Sequence, residues 1–163
     1  MTPGRLAIFD RLPAILNPPS TTPSPSAPYG RWMGPALALI AHDGSQGDML
    51  EFAVRHARVL RRCTLVASDS TGRLLEEQVG LRVERLAPGP TRGAVQVAVR
   101  VVMGEVDAVV ILAGPLTSRS DLPTIRALLR VCNLHQVPVA ANVPSADLLM
   151  DAMAVARSPA GIA

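Results

Sequence analysis

His42-Asp43 and Ser68-Asp69-Ser70-Thr71-Gly72 are the residues of this 163-residue chain whose types and spacing best suit chemistry. An imidazole can take or give a proton, or donate a hydrogen bond to a ligand oxygen. Hydroxyls and glycine amides opening a helix hold anions, because the first turn leaves N–H groups unpaired and the helix dipole favours negative charge. The two clusters together suit a small phosphorylated or otherwise anionic ligand.

Each cluster closes a short apolar run. Ala36-Leu37-Ala38-Leu39-Ile40 leads into Ala41-His42-Asp43-Gly44-Ser45, and Thr64-Leu65-Val66-Ala67 leads into Ser68. Apolar runs that end in Gly, Ser and Asp fit buried parallel strands feeding helix N-termini, where ligands of open α/β sheets bind. The pattern predicts strands over 36–41, 64–67, 82–86, 107–113 and 137–141. It predicts helices over 47–61, 71–79, 92–104, 123–135 and 145–156. Asp48 suits the first turn of the first helix, Pro123 a first-turn position, and Ser145 with Asp147 a helix start. The alternation predicts one doubly wound, three-layer α/β domain with a five-stranded, mainly parallel sheet.

Residues 1–34 differ in composition. Asn17-Pro-Pro-Ser-Thr-Thr-Pro-Ser-Pro-Ser-Ala-Pro28 cannot form a helix and has little to bury, so it reads as a flexible or polyproline-like linker. Leu6-Ala-Ile-Phe9 and Leu12 to Leu16 precede it, and Asp10-Arg11 interrupts them, which argues against a signal peptide. The expected division is a Pro-rich extension over 1–34 and the folded domain over 35–163.

Composition removes several function classes. All sixteen basic residues are Arg, so lysine chemistry is absent. Aromatics are confined to Phe9, Tyr29, Trp32 and Phe52, which leaves no stacking surface for single-stranded nucleic acid. Arg55, Arg58, Arg61 and Arg62 follow one helix face and read as solvated rather than nucleic-acid-binding. Cys63 and Cys132 belong to no CxxC or metal-ligand pattern and read as reduced core thiols. No apolar run approaches the roughly 18 residues of a membrane span. The expectation is a cytoplasmic protein with no metal, no membrane and no nucleic-acid partner.

The order of motifs resembles the methylglyoxal synthase family from about Ala36 to Met150. Carrying it are Leu39-Ile-Ala-His-Asp43, Asp48-Met49, Ser70-Thr71-Gly72, Gly89-Pro90, Pro115-Leu116-Thr117, Arg126-Ala-Leu-Leu-Arg130, and Val137-Pro-Val-Ala140 with Asn142. The resemblance implies conversion of dihydroxyacetone phosphate to methylglyoxal and phosphate without a metal or organic cofactor, in a homo-oligomer, usually a hexamer. It also implies a fold that elsewhere serves as a regulatory, effector-binding domain. Its ligand-binding positions here are His42, Ser68, Ser70, Thr71, Gly72 and Gly89, and His42 and Asp43 are what match the catalytic set.

The departures bear on activity. Where the synthases carry a lysine three residues after the His-Asp pair, this chain has Gln46. Their phosphate loop Thr-Gly-Thr-Thr-Gly stands against Ser68-Asp69-Ser70-Thr71-Gly72. The Asp of their Gly-Gly-Asp-Gln-Gln, which resembles the catalytic base, is Ala94 here. Their Asp-Pro-Leu becomes Gly114-Pro115-Leu116, and their His-Asp-Pro-Asp becomes Asp121-Leu122-Pro123-Thr124. A positioned acid or base contributes about 10²–10⁴-fold and an oxyanion donor about 10²–10³-fold, so losing several together predicts little turnover. Asp69 either repels a phosphate or fills the helix N-terminus as a built-in anion. Arg92 and Arg119 are candidates to compensate as anion ligands, and Asp121 as a base, against solvated arginines and a helix-capping aspartate. Three functions follow: a catalytically degenerate ligand-binding or regulatory domain, an active synthase, or a scaffold subunit docking through its N-terminal arm.

Overall fold

The computed structural model describes residues 34–88, 92–114 and 122–155, with the Arg92 side chain outside that set. The expected N-terminal extension therefore lies outside the described residues apart from Gly34, as does the C-terminal stretch 156–163.

Five parallel strands, β1 (Ala36–Ala41), β2 (Thr64–Ala67), β3 (Val83–Arg85), β4 (Ala108–Leu112) and β5 (Val139–Ala140), stand in the order β3-β2-β1-β4-β5. The helices are α1 (Gln46–Arg55), α2 (Ala57–Leu60), α3 (Asp69–Val79), α4 (Arg92–Val102), α5 (Leu122–Leu134) and α6 (Val143–Val155). A 3₁₀ turn over Asp43–Ser45 precedes α1. The doubly wound, three-layer architecture matches the expectation, with every described strand pairing parallel.

Why β1 is apolar throughout follows from its place. Leu37, Leu39 and Ala41 face one cluster with Met49, Phe52, Leu60, Leu75 and Met150, while Ala38 and Ile40 face another with Val97, Val101, Ile125 and Leu128. A strand covered on both sides has no solvent face for polar residues. Leu37, Leu39, Met49 and Phe52 are fully buried, each burial contributing about 1.5–3 kcal/mol. Thus α1, α2, α3 and α6 cover one side of the sheet, and α4 and α5 the other.

The helix expected over 47–61 is two helices that meet at His56 (φ −104°, ψ 13°). Its ring lies 5.1 Å from that of Phe52, and its Nε2 is 2.7 Å from Asp147 Oδ1 on α6. Arg55 reaches the same carboxylate at 3.1 and 3.2 Å. This tertiary anchor coincides with the break, and helical periodicity alone gives no sign of it. The last helix starts two residues before the expected Ser145, because Asn142 Oδ1 accepts the Ser145 amide at 2.9 Å and so caps the first turn. The third starts at Asp69 rather than Thr71, and Gly80 closes it in the left-handed conformation (φ 68°).

Candidate ligand site at the strand ends

β2 and β3 extend from β1 to one side, β4 and β5 to the other, so β1 and β4 border the point where the winding reverses. Open α/β sheets bind ligands outside the C-terminal ends of the strands at this point. Three loops meet there: His42–Ser45 after β1, Ser68 after β2 and Gly114 after β4.

The β1 exit is held tightly. The His42 amide donates to the Leu112 carbonyl at 3.0 Å, and the His42 carbonyl accepts the Ser45 amide at 2.7 Å. His42 is half-buried with its Nε2 shut away from solvent, whereas Asp43 is exposed. Ser45 is 3% exposed, and a Cβ on Gly114 would lie 2.9 Å from its Oγ. A glycine after β4 is therefore what lets the two loops touch. The aspartate that the family resemblance leads one to expect here would require Ser45 to move.

Helix α3 is tied to the same strand end. Thr71 is fully buried, and its Oγ1 accepts the Ala41 amide at 3.0 Å and the Ser68 hydroxyl at 2.8 Å. Gln46 Nε2 donates to the Ala41 carbonyl at 3.4 Å and to Ser70 Oγ at 3.3 Å. Where the resemblance leads one to expect a lysine, a neutral amide thus bridges β1 and α3. The Ser68 hydroxyl caps no backbone amide of α3. Helix α4 closes against it: a Cβ on Gly93 would meet Ser68 Cβ at 2.9 Å. Hence α4 approaches Ser68 as closely as it does only because residue 93 is glycine.

Asp69 occupies the first position of α3, where the helix dipole favours a carboxylate. Two guanidiniums answer its charge: Arg73 Nη2 lies 3.4 Å from one oxygen, and Arg85 Nη1, from the end of β3, 3.7 Å from the other. Arg85 also pairs with Glu76 at 3.4 Å. Its stem crosses the helix over Gly72, where a Cβ would lie 2.5 Å from Arg85 Cγ. Both alternatives raised for Asp69 omit this third element, a neighbouring strand that supplies the counter-charge.

Of the residues singled out from sequence, His42, Asp43, Ser68, Ser70, Thr71 and Gly72 belong to this pair of strand ends. Arg92 begins α4, but its side chain is outside the described set, and Gly89, Arg119 and Asp121 lie outside the described residues altogether. Ala94 is 7% exposed and packs in the apolar cluster beneath α4. Ser45 and Arg85 were not singled out. The Gly-Ser after His42-Asp43 hinted at the first; nothing local pointed to the second. Among the described residues, no group of three or more His, Cys, Asp or Glu side chains is placed to hold a metal ion. No helix among them is long and apolar enough to cross a membrane.

No family model matches the sequence. A methylglyoxal synthase of Ralstonia nicotianae is 43% identical over 121 residues, covering 74% of this chain and 90% of its own length. One from Thermus thermophilus is 47% identical over 115 residues, covering 71% and 91%. Among solved structures, methylglyoxal synthase from Elizabethkingia anophelis superposes with a TM-score of 0.65 at 27% identity, over 72% of this chain and 78% of that one. With relatives so similar across nearly their whole length and the same fold in a solved member, the chain belongs to the methylglyoxal synthase family.

Proposed function

We propose that this protein is a small-anion or phospho-ligand-binding member of the methylglyoxal synthase family whose lyase chemistry is largely lost. The observation that carries the reading is the contrast within one site. His42 at the end of β1 and Ser70 in the first turn of α3 are the candidate donors for an anion, while Ala94, in the position of the expected base, is a methyl group inside an apolar cluster. No pKa shift turns alanine into a base. Gln46 and Gly114 likewise supply neither an ammonium nor a carboxylate, and a side chain at 114 would have to displace the Ser45 hydroxyl. The ligand contacts the hydroxyls and amides at the start of α3, and its binding reaches partners through assembly.

The test is isothermal titration of inorganic phosphate and of dihydroxyacetone phosphate into the full chain, alongside an assay for methylglyoxal release. Binding without release above the no-enzyme rate supports the reading; absence of binding to either ligand refutes it.

Identity of 43–47% to proteins named methylglyoxal synthase favours a second reading, in which turnover survives through rearranged groups. Asp121 and Arg119 are then the groups to mutate, and release of methylglyoxal that falls in His42→Ala would establish it.

A further inference from the structure

The donors around the start of α3 are neutral, and the charged groups beside them are engaged with one another. Gln46, the first residue of α1, donates its amide to the Ala41 carbonyl at 3.4 Å and to Ser70 Oγ at 3.3 Å. With its oxygen so engaged, the exposed Ser70 keeps its own proton to give to a ligand. Ser68 does not, since its proton goes to Thr71 Oγ1 at 2.8 Å. Asp69 places a negative charge at the first position of α3, where an incoming anion would otherwise have the helix dipole to itself. Arg73 and Arg85 offset that carboxylate at 3.4 and 3.7 Å, and Glu76 offsets Arg85 in turn at 3.4 Å. Asp43, exposed at the β1 exit, is a further negative group. Among the described side chains at these strand ends, two guanidiniums therefore stand against three carboxylates.

We infer that the site selects singly charged oxyanions over doubly charged ones, with Gln46 and Asp69 as the residues that set the preference. This rests on the reading that an anion binds here, and names its class. Hydroxyls, backbone amides and a carboxamide can each satisfy the oxygens of an anion by hydrogen bonding. None of them repays the second charge of a phosphomonoester, whose hydration must be given up on binding. That second charge also meets Asp69. An anion on the first-turn amides lies within one helical pitch of it, about 5 Å, and so inside the Debye length of physiological salt, about 8 Å. A carboxylate, a sulfate ester or a phosphodiester carries one charge and avoids most of both costs. A doubly charged phosphomonoester still binds, less tightly than a singly charged ligand of its shape.

The test compares methyl sulfate with methyl phosphate, two ligands of one shape that differ by a single charge. Each is titrated calorimetrically into the full chain at fixed ionic strength and pH 8, where a phosphomonoester, with its second pKa at about 6, is doubly charged. Methyl sulfate should bind about threefold or more tighter than methyl phosphate. Asp69→Asn and Gln46→Lys should each move the ratio about threefold or more toward methyl phosphate, the first by removing a carboxylate and the second by adding an ammonium. A secondary-structure spectrum checks folding, and Gln46→Arg serves if lysine is not tolerated. Methyl phosphate binding the native chain as tightly as methyl sulfate, or tighter, would overturn the inference while leaving anion binding intact. So would a ratio that either variant leaves unchanged. Binding of neither ligand to any of the three proteins would refute the binding reading itself, and the inference with it.

Discussion

The Thr71 hydroxyl accepts the backbone amide of Ala41 at 3.0 Å, so the last residue of β1 and the first turn of α3 form one hydrogen-bonded unit. Thr71 therefore holds the two halves of the candidate site together, with Ser68 completing the chain of hydroxyls. Replacing Thr71 by Val keeps the shape and strands a buried amide. We expect Thr71→Val to lose about 1–3 kcal/mol, while Thr71→Ser, which keeps the oxygen, loses less. Urea unfolding of both variants reads the difference.

Asp69 holds Arg73 and Arg85 at the mouth of α3. In Asp69→Asn the repulsion between carboxylate and incoming anion disappears, and Arg73 is freed while Arg85 keeps its pairing with Glu76. Phosphate affinity should rise about threefold or more at low salt, and the gain should shrink as ionic strength rises. Titration at two salt concentrations measures it. Equal affinity in both proteins would mean that the anion does not approach α3.

Gly93→Ala probes the contact between α4 and Ser68. The added methyl would sit 2.9 Å from Ser68 Cβ and 3.4 Å from its backbone Cα, so Ser68 must yield. Overpacking of this sort costs about 1–3 kcal/mol. Phosphate binding should weaken as well, a change that thermal denaturation alone would miss and titration would detect.

Cys132 is fully buried, and burial pushes its thiol up to about 11 from an ordinary 9.0. Below pH 9 both folded and unfolded chains hold the proton, and stability is unaffected. Between about pH 9 and 11 the unfolded thiol ionises while the folded one does not, so stability falls as pH rises, by about 2–3 kcal/mol in all. Urea midpoints across that range should drop in the native protein and drop less in Cys132→Ala.

Much of the fold is legible in the sequence because β1, β2 and β4 are continuous apolar runs whose exits carry Gly, Ser or Asp, whereas β3, Val83-Glu84-Arg85, is an edge strand without that pattern. The run through Leu37 and Leu39 and the Ser68 exit needed no tertiary knowledge. What stayed hidden depends on residues far apart in the chain. The break at His56 coincides with contacts to Asp147, and the placement of Asp69 depends on Arg85, a strand away. The same holds for Gly72, whose missing side chain makes sense only once Arg85 is seen crossing it. Local periodicity reports which face a residue takes, and says nothing of which distant side chain lies there.

The central claim is a site that holds an anion without completing the lyase reaction. It is tested most directly by adding dihydroxyacetone phosphate to the native chain and following heat of binding and methylglyoxal release in parallel. The account predicts saturable binding, weakened in Ser68→Ala and His42→Ala, with release indistinguishable from the no-enzyme control. Release that is well above that control and lost in His42→Ala would contradict it.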